Sequence, residues 1–381
     1  MTALYILLAL FVFGLLVMIH ELGHFLVARL FGIGIREFSI GMGPKIFSWK
    51  GKKKWGEEDE PTLPRIRWEE DGNDAPQEPE YEERVTTYSL RALPIGGYVS
   101  MVGEDEESES SASFEKKNVW KRIAVVVAGA FMNILLGFLL MTVLVVTTTN
   151  PHTGKVLLVS NTVGAFEEGA TSPAYGLAIG DTITHVNGTR VHTGNEVVYE
   201  ITNRGYEPVD LTVRRGEEVI VLNDVLFPGM EAEGIAFGSS DFKMYAEEAN
   251  FASVVKHTFF RSVSTVKMIL DQLGDLLTGR FGLNAVSGPV GVTDAMGEAA
   301  KSGFDTFLYL VIVLTINLGV FNLLPVPALD GGRLLFLLIE AIVRRPLDKR
   351  IEGYIHFVGM MILLGIMVLV TCKDIVGIFI R

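Results

Sequence analysis

The residues best suited to chemistry lie in the first apolar segment of the chain, where His20, Glu21 and His24 interrupt a hydrophobic run. Ionisable side chains are costly in such a segment, so we expect them to serve a function there. Residues four apart share one face of a helix, so both imidazoles can bind one metal ion from the same side. With the neighbouring carboxylate placed to take a proton from water, this His-Glu-x-x-His pattern predicts a hydrolytic zinc site.

A catalytic zinc of this kind needs a third protein ligand and an open position. Asp330, in the segment NLLPVPALDGG at 322–332, is the natural third ligand because it again lies beside apolar sequence. Structural alternatives exist for each motif: the two histidines can hydrogen-bond a neighbouring helix, and the aspartate can cap a helix N-terminus. The presence of both motifs in one chain favours a single metal centre.

The two motifs, HELGH and NLLPVPALDGG, resemble those of the site-2 protease family of intramembrane zinc metalloproteases. They are most similar to the bacterial branch that contains the regulator-of-sigma-E proteases. Three further stretches match that branch, namely YSLRALPIGGYVSM at 88–101, AGAFMN at 128–133 and SGPVGV at 287–292. The resemblance therefore covers nearly the whole chain, and it implies one zinc ion with Glu21 as the catalytic base.

Composition places the chain among membrane proteins that have sizeable extramembrane parts. Of its 381 residues 49% are hydrophobic, the formal charge is −12 and the mean hydropathy is +0.35, which is too apolar for an ordinary soluble enzyme. The single cysteine, Cys372, excludes an internal disulfide and a cysteine-based zinc site. We expect the lipid bilayer, and no nucleic acid, among the partners.

Four segments are long and apolar enough to cross a bilayer. Basic residues cluster at 29–54, 116–122 and 333–350, so the loops that carry them are predicted to be cytoplasmic. Both termini and the loop from about 150 to 303 then lie outside a bacterial cytoplasmic membrane, with the metal site toward the cytoplasmic side. The predicted spans are Ala3 to Val27, Ile123 to Thr149, Thr306 to Leu329 and Ile355 to Thr371.

Between the first two spans, residues 33–50 and 85–102 are predicted to form β segments punctuated by glycines. The resemblance implies that such a membrane-associated element pairs with an unwound substrate, whereas a purely structural hairpin is the alternative. The stretch 56–83 carries 12 acidic and two basic residues, which favours a solvated insertion, either a passive loop or a partner-binding segment. The residues predicted to pair with substrate are Ile95, Gly96, Gly97 and Tyr98.

Polar residues in the second and third spans are candidates for positioning the substrate. Asn133, Asn317 and Asn322 can each hydrogen-bond a neighbouring helix or, as the resemblance implies, orient the substrate beside the zinc. Pro325 and Pro327 are expected to break the third helix just before the aspartate ligand and to free backbone groups there.

The outer loop contains one predicted α+β domain. Its segment AYGLAIGDTITHVNG at 174–188 resembles the core signature of PDZ domains, which receive peptide ends between a strand edge and a helix, here 195–203. Only one such domain is evident, whereas many members of the branch carry two. Strands are predicted at 155–159, 182–186, 209–213 and 219–222, and no metal-binding role is predicted for His185, His192, His257 or His356.

The predicted fold is a polytopic α-helical membrane protein with four transmembrane helices, a membrane-associated β element and an inserted extracytoplasmic PDZ-like α+β domain. The resemblance implies cleavage of single-pass membrane proteins in regulated intramembrane proteolysis, the substrates being anti-sigma factors already shortened by a site-1 protease, or remnant signal peptides. The alternatives are a membrane metal transporter, which the apolar fourth span disfavours, and a non-catalytic PDZ scaffold, which the complete set of ligands and base disfavours. The predicted domains are the first transmembrane helix at 1–30, a cytoplasmic β region at 31–118, the second helix at 119–149, the PDZ-like domain at 150–240, amphipathic interfacial helices at 241–303, the third helix at 304–332, a cytoplasmic loop at 333–354 and the fourth helix at 355–381.

Overall fold

The computed structural model describes residues 3–56, 63–64, 81–82, 84–104, 106, 108–150, 153–232, 235–280 and 286–380. Most of the predicted acidic insertion at 56–83 therefore lies outside the described residues. The chain divides into two compact units. The first comprises Met1–Leu136, Ser287–Lys301 and Leu314–Arg381, and the second comprises Gly137–Val286 and Ser302–Val313.

Four helices are long and apolar enough to cross a membrane, and each overlaps one predicted span, which fits a membrane protein. They are Tyr5–Leu30, Val119–Thr147, Phe304–Leu323 and Lys349–Gly377. The helices in chain order are α1 Ala3–Leu30, α2 Val119–Thr147, α3 Gly194–Thr202, α4 Phe251–Thr278, α5 Pro289–Ser302, α6 Phe304–Leu323, α7 Asp330–Val343 and α8 Lys349–Ile380.

The third membrane helix is shorter than the predicted range 304–332. Helix α6 ends at Leu323, and Pro325 and Pro327 lie in the turn that follows. Proline lacks an amide hydrogen and clashes with the preceding helical turn, so two prolines in three residues stop the helix. A new helix, α7, then begins at Asp330, so the proposed ligand stands at a helix start.

The predicted cytoplasmic loop at 333–354 is helical up to Val343. Apolar residues at helical spacing explain this difference, because Leu334 and Leu337 pack into a buried cluster of the first unit. That cluster combines side chains from α1, the β region, α2 and α7, including Phe25, Ile35, Met101 and Val125. It fixes α1 against the elements that surround the candidate site.

Two long bent strands, β1 Ile35–Lys54 and β4 Val85–Met101, form the sheet between the first two spans. Residues 35–40 pair with 97–101 on one side and with 87–90 on the other, and 87–90 also pair with 47–50. The spatial order is therefore 45–54, 85–91, 35–40, 97–101. Gly41 and Gly96 stand at the bends with φ of +83° and +75°, which glycine adopts readily. Within the described residues, both outer segments have one edge without a partner strand.

The second unit is built on a sheet with the strand order β12-β5-β6-β8-β9, with β7 paired to β6. Buried side chains such as Val163, Ile183, Val197, Ile201 and Leu211 fill its core beneath α3. The bounds are β5 Leu158–Phe166, β6 Thr182–Val186, β7 Thr189–Arg190, β8 Val209–Arg215, β9 Glu218–Val225 and β12 Phe242–Glu247, while short strand pairs β2 Leu63–Pro64 with β3 Tyr81–Glu82 and β10 Gly229–Ala232 with β11 Ile235–Gly238 stand apart.

Strand β12 is a correction to the sequence analysis, which placed residues 241–303 among interfacial helices. It pairs antiparallel with β5 and forms one edge of the sheet. Asp241 at its start is buried, and its carboxylate accepts hydrogen bonds from the amides of Thr171 (2.7 Å) and Ser172 (2.8 Å). The strand depends on these distant partners, so its own short sequence gives little sign of it.

Candidate metal centre

His20 and His24 lie one turn apart on the same face of α1, and both are buried, with 6% and 8% of their surface exposed. Their Nε2 atoms are 3.1 Å apart. Two imidazole nitrogens held this close in apolar surroundings must share either a proton or a metal ion, since two bare lone pairs would repel each other. The helix therefore presents a cation-binding pair.

Asp330 completes a triangle with the two imidazoles. Its Oδ2 atom lies 2.9 Å from His20 Nε2 and 3.2 Å from His24 Nε2. Ligands at tetrahedral zinc, each about 2.0–2.1 Å from the metal, are roughly 3.3 Å apart, so these three atoms fit one zinc ion. The Asp330 side chain is 26% exposed, which leaves one side of the triangle accessible. Among the described residues, these three form the only group of His, Cys, Asp or Glu side chains arranged to hold a metal.

Hydrogen bonds at the far side of each ring set the histidine tautomers. His24 Nδ1 donates to the carbonyl of Val125 at 2.8 Å, so its Nε2 lone pair is free for a metal. His20 Nδ1 lies 3.3 Å from Asn133 Nδ2, while Asn133 Oδ1 is buried without a hydrogen-bond partner among the described residues. Rotating that amide by 180° lets Oδ1 accept from His20 Nδ1–H, which satisfies both groups. Asn133 thus fits as the hydrogen-bond partner of His20 Nδ1, which leaves the Nε2 lone pair of His20 free to bind zinc.

Glu21 is the next residue on α1, and its carboxylate is held by the β region. The amide of Val99 donates to Glu21 Oε2 at 3.1 Å. Val99 belongs to the outer segment 97–101, whose other side pairs with β1. The predicted base is therefore in direct contact with a strand edge that has no partner strand among the described residues.

The four residues predicted to pair with substrate all lie in β4. Ile95 and Gly96 lie at the bend, while Gly97 and Tyr98 follow it and pair with Ile40 and Ser39. They therefore belong to the outer segment or lead directly into it. Only one side of that segment is taken up by β1.

A charged network braces this bend in the sheet. Burial alone would raise the pKa of Glu37, but hydrogen bonds from Ser89, Lys45 and Arg91 hold the pKa at about 2. Arg91 also donates to Tyr98 Oη at 2.6 Å. The carboxylate stays ionised at neutral pH, so these contacts link both bent strands.

Helix α2 places Gly129, in the segment AGAFMN that carries part of the family resemblance, against both imidazoles. A Cβ at Gly129 would overlap His24 Nε2 and lie 2.6 Å from His20 Nε2. Close helix contact at small residues is common in membrane bundles. Gly129 lies four residues before Asn133, so both share the face of α2 that packs against the two histidines.

The other predicted polar residues lie farther along the chain on α6 and its following turn. Asn317 and Asn322 are half-buried on α6, and neither makes a side-chain hydrogen bond among the described residues. Pro325 and Pro327 occupy the turn before Asp330. The structure therefore brings Asn133 to the centre and leaves the two α6 asparagines without an observed contact there.

The turn before Asp330 is fixed by a histidine for which the sequence analysis predicted no role. The amide of Ala328 donates to His356 Nδ1 on α8 at 2.9 Å. Ala328 has φ of +74°, a left-handed conformation that is unfavourable for alanine and needs support from its surroundings. His356 thus acts on a strained residue two positions before the proposed ligand.

In the second unit, His192 stacks on Phe260, and His257 contacts Glu247 at 3.0 Å.

Comparisons with known proteins agree with this geometry. The model of peptidase family M50 matches residues 8–55 and 79–366. A Clostridium perfringens protein named as a candidate zinc metalloprotease is 34% identical over 379 residues, covering 98% of each chain. The regulator of sigma-W protease RasP of Bacillus subtilis is 29% identical over 450 residues, covering 97% of each chain.

We expect Gly129→Ala to disrupt the centre, because the added Cβ would occupy the space of both Nε2 atoms. A displacement of about 1 Å at a reacting centre can cost roughly 100-fold in rate. The purified variant should therefore lose most of its bound zinc, measured by inductively coupled plasma mass spectrometry, and most of its activity. The control is Gly365→Ala on α8, where a Cβ has no neighbour within 4 Å. Normal zinc content in Gly129→Ala would contradict the close contact.

His356 can be tested with a matched pair of substitutions. His356→Ala removes the acceptor for the Ala328 amide and should weaken zinc affinity by roughly 10-fold, the low end of effects at residues that support metal ligands. His356→Asn retains an acceptor near the position of Nδ1 and should restore most of the affinity. Chelator competition measures the affinity, and the absorption spectrum of the cobalt-substituted protein reports the ligand geometry. Equal affinities in the two variants would remove His356 from the support of this turn.

Proposed function

Because this chain belongs to peptidase family M50, the site-2 proteases, and is a zinc metalloprotease, we propose that it cleaves single-pass membrane proteins within or beside their transmembrane segments. The observation that carries this proposal is the contact between Glu21 and Val99. It joins the general base of a metal site to the free edge of a sheet that lies next to a membrane span. Family membership also decides against the transporter and the non-catalytic scaffold.

His20, His24 and Asp330 would hold the zinc ion, with Val125 and Asn133 orienting the two rings. When bound, zinc polarises the scissile carbonyl and makes water a better nucleophile at neutral pH. Glu21 takes a proton from the attacking water and later delivers it to the leaving amine. Since the Val99 amide holds Oε2, the other carboxylate oxygen is the one available for this proton.

An extended substrate would bind along the segment 97–101. A peptide bond inside a helix is shielded by the helix's own hydrogen bonds, so the substrate must unwind before it can be attacked, and a strand edge replaces the lost partners. The amides of Val99 and Met101 donate to Glu21 and Glu104 and not to β1, so this side of the segment faces outward. Its carbonyl oxygens remain as acceptors for substrate amides.

The proposed substrates are anti-sigma factors already shortened by a site-1 protease, or remnant signal peptides. The sigma-W name of the Bacillus subtilis relative supports the first class. In the proposed orientation, both termini and the PDZ-like unit lie outside the cytoplasmic membrane. That unit would exclude proteins with bulky outer domains and accept the ends left by a first cleavage.

Two substitutions separate the proposed base from a proposed ligand. Glu21→Gln keeps the size of the side chain but cannot take a proton, so we expect normal zinc content and a loss of activity of at least about 100-fold. Asp330→Ala removes a ligand, so both zinc content and activity should fall. The assay follows fragment release from a tagged single-pass reporter without an outer domain, in membranes and with or without a zinc chelator.

The matched control for this experiment is Glu298→Gln, a change at an exposed glutamate that should behave like the wild type. Equal fragment release by the wild type and Glu21→Gln would exclude Glu21 as the base. Normal zinc content in Asp330→Ala would show that the third ligand lies elsewhere.

A further inference from the structure

A pocket of about 400 Å³ lies at the end of α1, between that helix and the β region, and it has no role in the mechanism. Four cationic side chains line it, Arg29, Lys52, Lys53 and Lys54, and no acidic side chain among the described residues does so. The local charge is thus strongly positive although the whole chain carries −12. Such a pocket favours an anionic ligand.

Hydrogen-bond donors in the same pocket are also in excess. The indole Nε1 of Trp55 is buried and has no hydrogen-bond partner among the described residues. An indole nitrogen is a donor only, so it needs an acceptor from a ligand or from water. Hydroxyl groups of Thr86, Tyr88 and Ser111 also line the space. Charge and donors together match the several acceptor oxygens of a phosphate group.

The cations of this pocket differ from those elsewhere in the same sheet. Lys45 and Arg91 both form ion pairs with Glu37, at 3.0 and 2.9 Å. Lys52, Lys53 and Lys54 have no ion-pair partner among the described residues. Because the three lysines lack the ion pairs that Lys45 and Arg91 form, their part of the sheet is suited to an external anion.

The surroundings of the pocket indicate a lipid as the source of the anion. Arg29 lies in the last turn of the span-length helix α1. On the outer segment 45–54, Ile46, Phe47 and Trp49 are 67%, 60% and 49% exposed just before the lysines. Exposed aromatic residues followed by lysines are typical of the boundary between acyl chains and headgroups.

We propose that this pocket binds the phosphate of an anionic phospholipid headgroup. The exposed apolar residues would contact the acyl region while the three lysines, Arg29 and Trp55 hold the phosphate. A bound lipid would then anchor the outer edge 45–54 of the sheet, whose opposite edge holds Glu21. The proposal concerns binding and does not depend on the identity of the protease substrate.

The test is native mass spectrometry of the delipidated full chain titrated separately with phosphatidylglycerol, phosphatidylcholine and inorganic phosphate. The wild type should bind phosphatidylglycerol at least about 10-fold more tightly than phosphatidylcholine, since each lysine near an anionic surface adds on the order of fivefold. The triple variant Lys52→Gln, Lys53→Gln, Lys54→Gln should lose roughly 10- to 100-fold of that affinity. Trp55→Phe, which removes only the indole donor, should weaken binding less.

The charge-matched control replaces Lys155, Lys243 and Lys301 by Gln and should bind phosphatidylglycerol as the wild type does. Unchanged zinc content shows that each variant is folded. Equal affinity for the two lipids, or unchanged affinity in the triple lysine variant, would overturn the proposal. So would inorganic phosphate binding as tightly as the lipid, because the source would then be a free anion. If phosphatidylglycerol bound selectively only after deletion of residues 57–80, the proposal would also be overturned. The occupant of the pocket in the intact chain would then be its own acidic segment.

Discussion

Three ligand atoms that lie about 3 Å from one another within apolar surroundings impose the constraint on which the first unit depends. Two imidazoles and a carboxylate are stable at such distances only if they share protons or a metal ion and if their remaining polar atoms are satisfied. The surrounding elements meet both conditions. Gly129 leaves room for the rings, Val125 and Asn133 bind their far nitrogens, and α7 begins at the aspartate.

The bent sheet connects this centre to a strand edge that has no partner strand among the described residues, where we propose that the substrate binds. Each of the two strands bends and contributes two paired segments. The two strands therefore form a sheet of four segments whose two outer edges have no partner strand among the described residues. The ion pairs and hydrogen bonds of the ionised Glu37 fix the bend. The hydrogen bond from the Val99 amide to Glu21 ties the position of this carboxylate to the position of the edge. A displacement of this strand edge would therefore change the orientation of Glu21, the proposed base.

Much of this organisation could be predicted from the sequence, because the relevant signals are local. The spacing of His20 and His24, the motif around Asp330, the apolar spans and most strands of the second unit are patterns within a few residues. Strand β12 could not be predicted, since it is stabilised by partners such as Thr171 that lie far away in the chain. The role of His356 could not be predicted for the same reason, because it lies in a contact between α8 and the turn before α7. The early end of α6 was predicted from its prolines, and a helix start at Asp330 was one of the two interpretations that the sequence left open.

The separation of the proposed ligands along the chain has a consequence for biosynthesis. His20 and Asp330 are 310 residues apart, although their side chains meet at 2.9 Å. A ribosome adds residues at about 5–20 per second, so the first helix exists for at least roughly 15 seconds before its third ligand is made. During that interval the nascent chain has two imidazoles and no complete zinc site. Order of synthesis alone therefore places the completion of the proposed zinc site after the third membrane helix has been made.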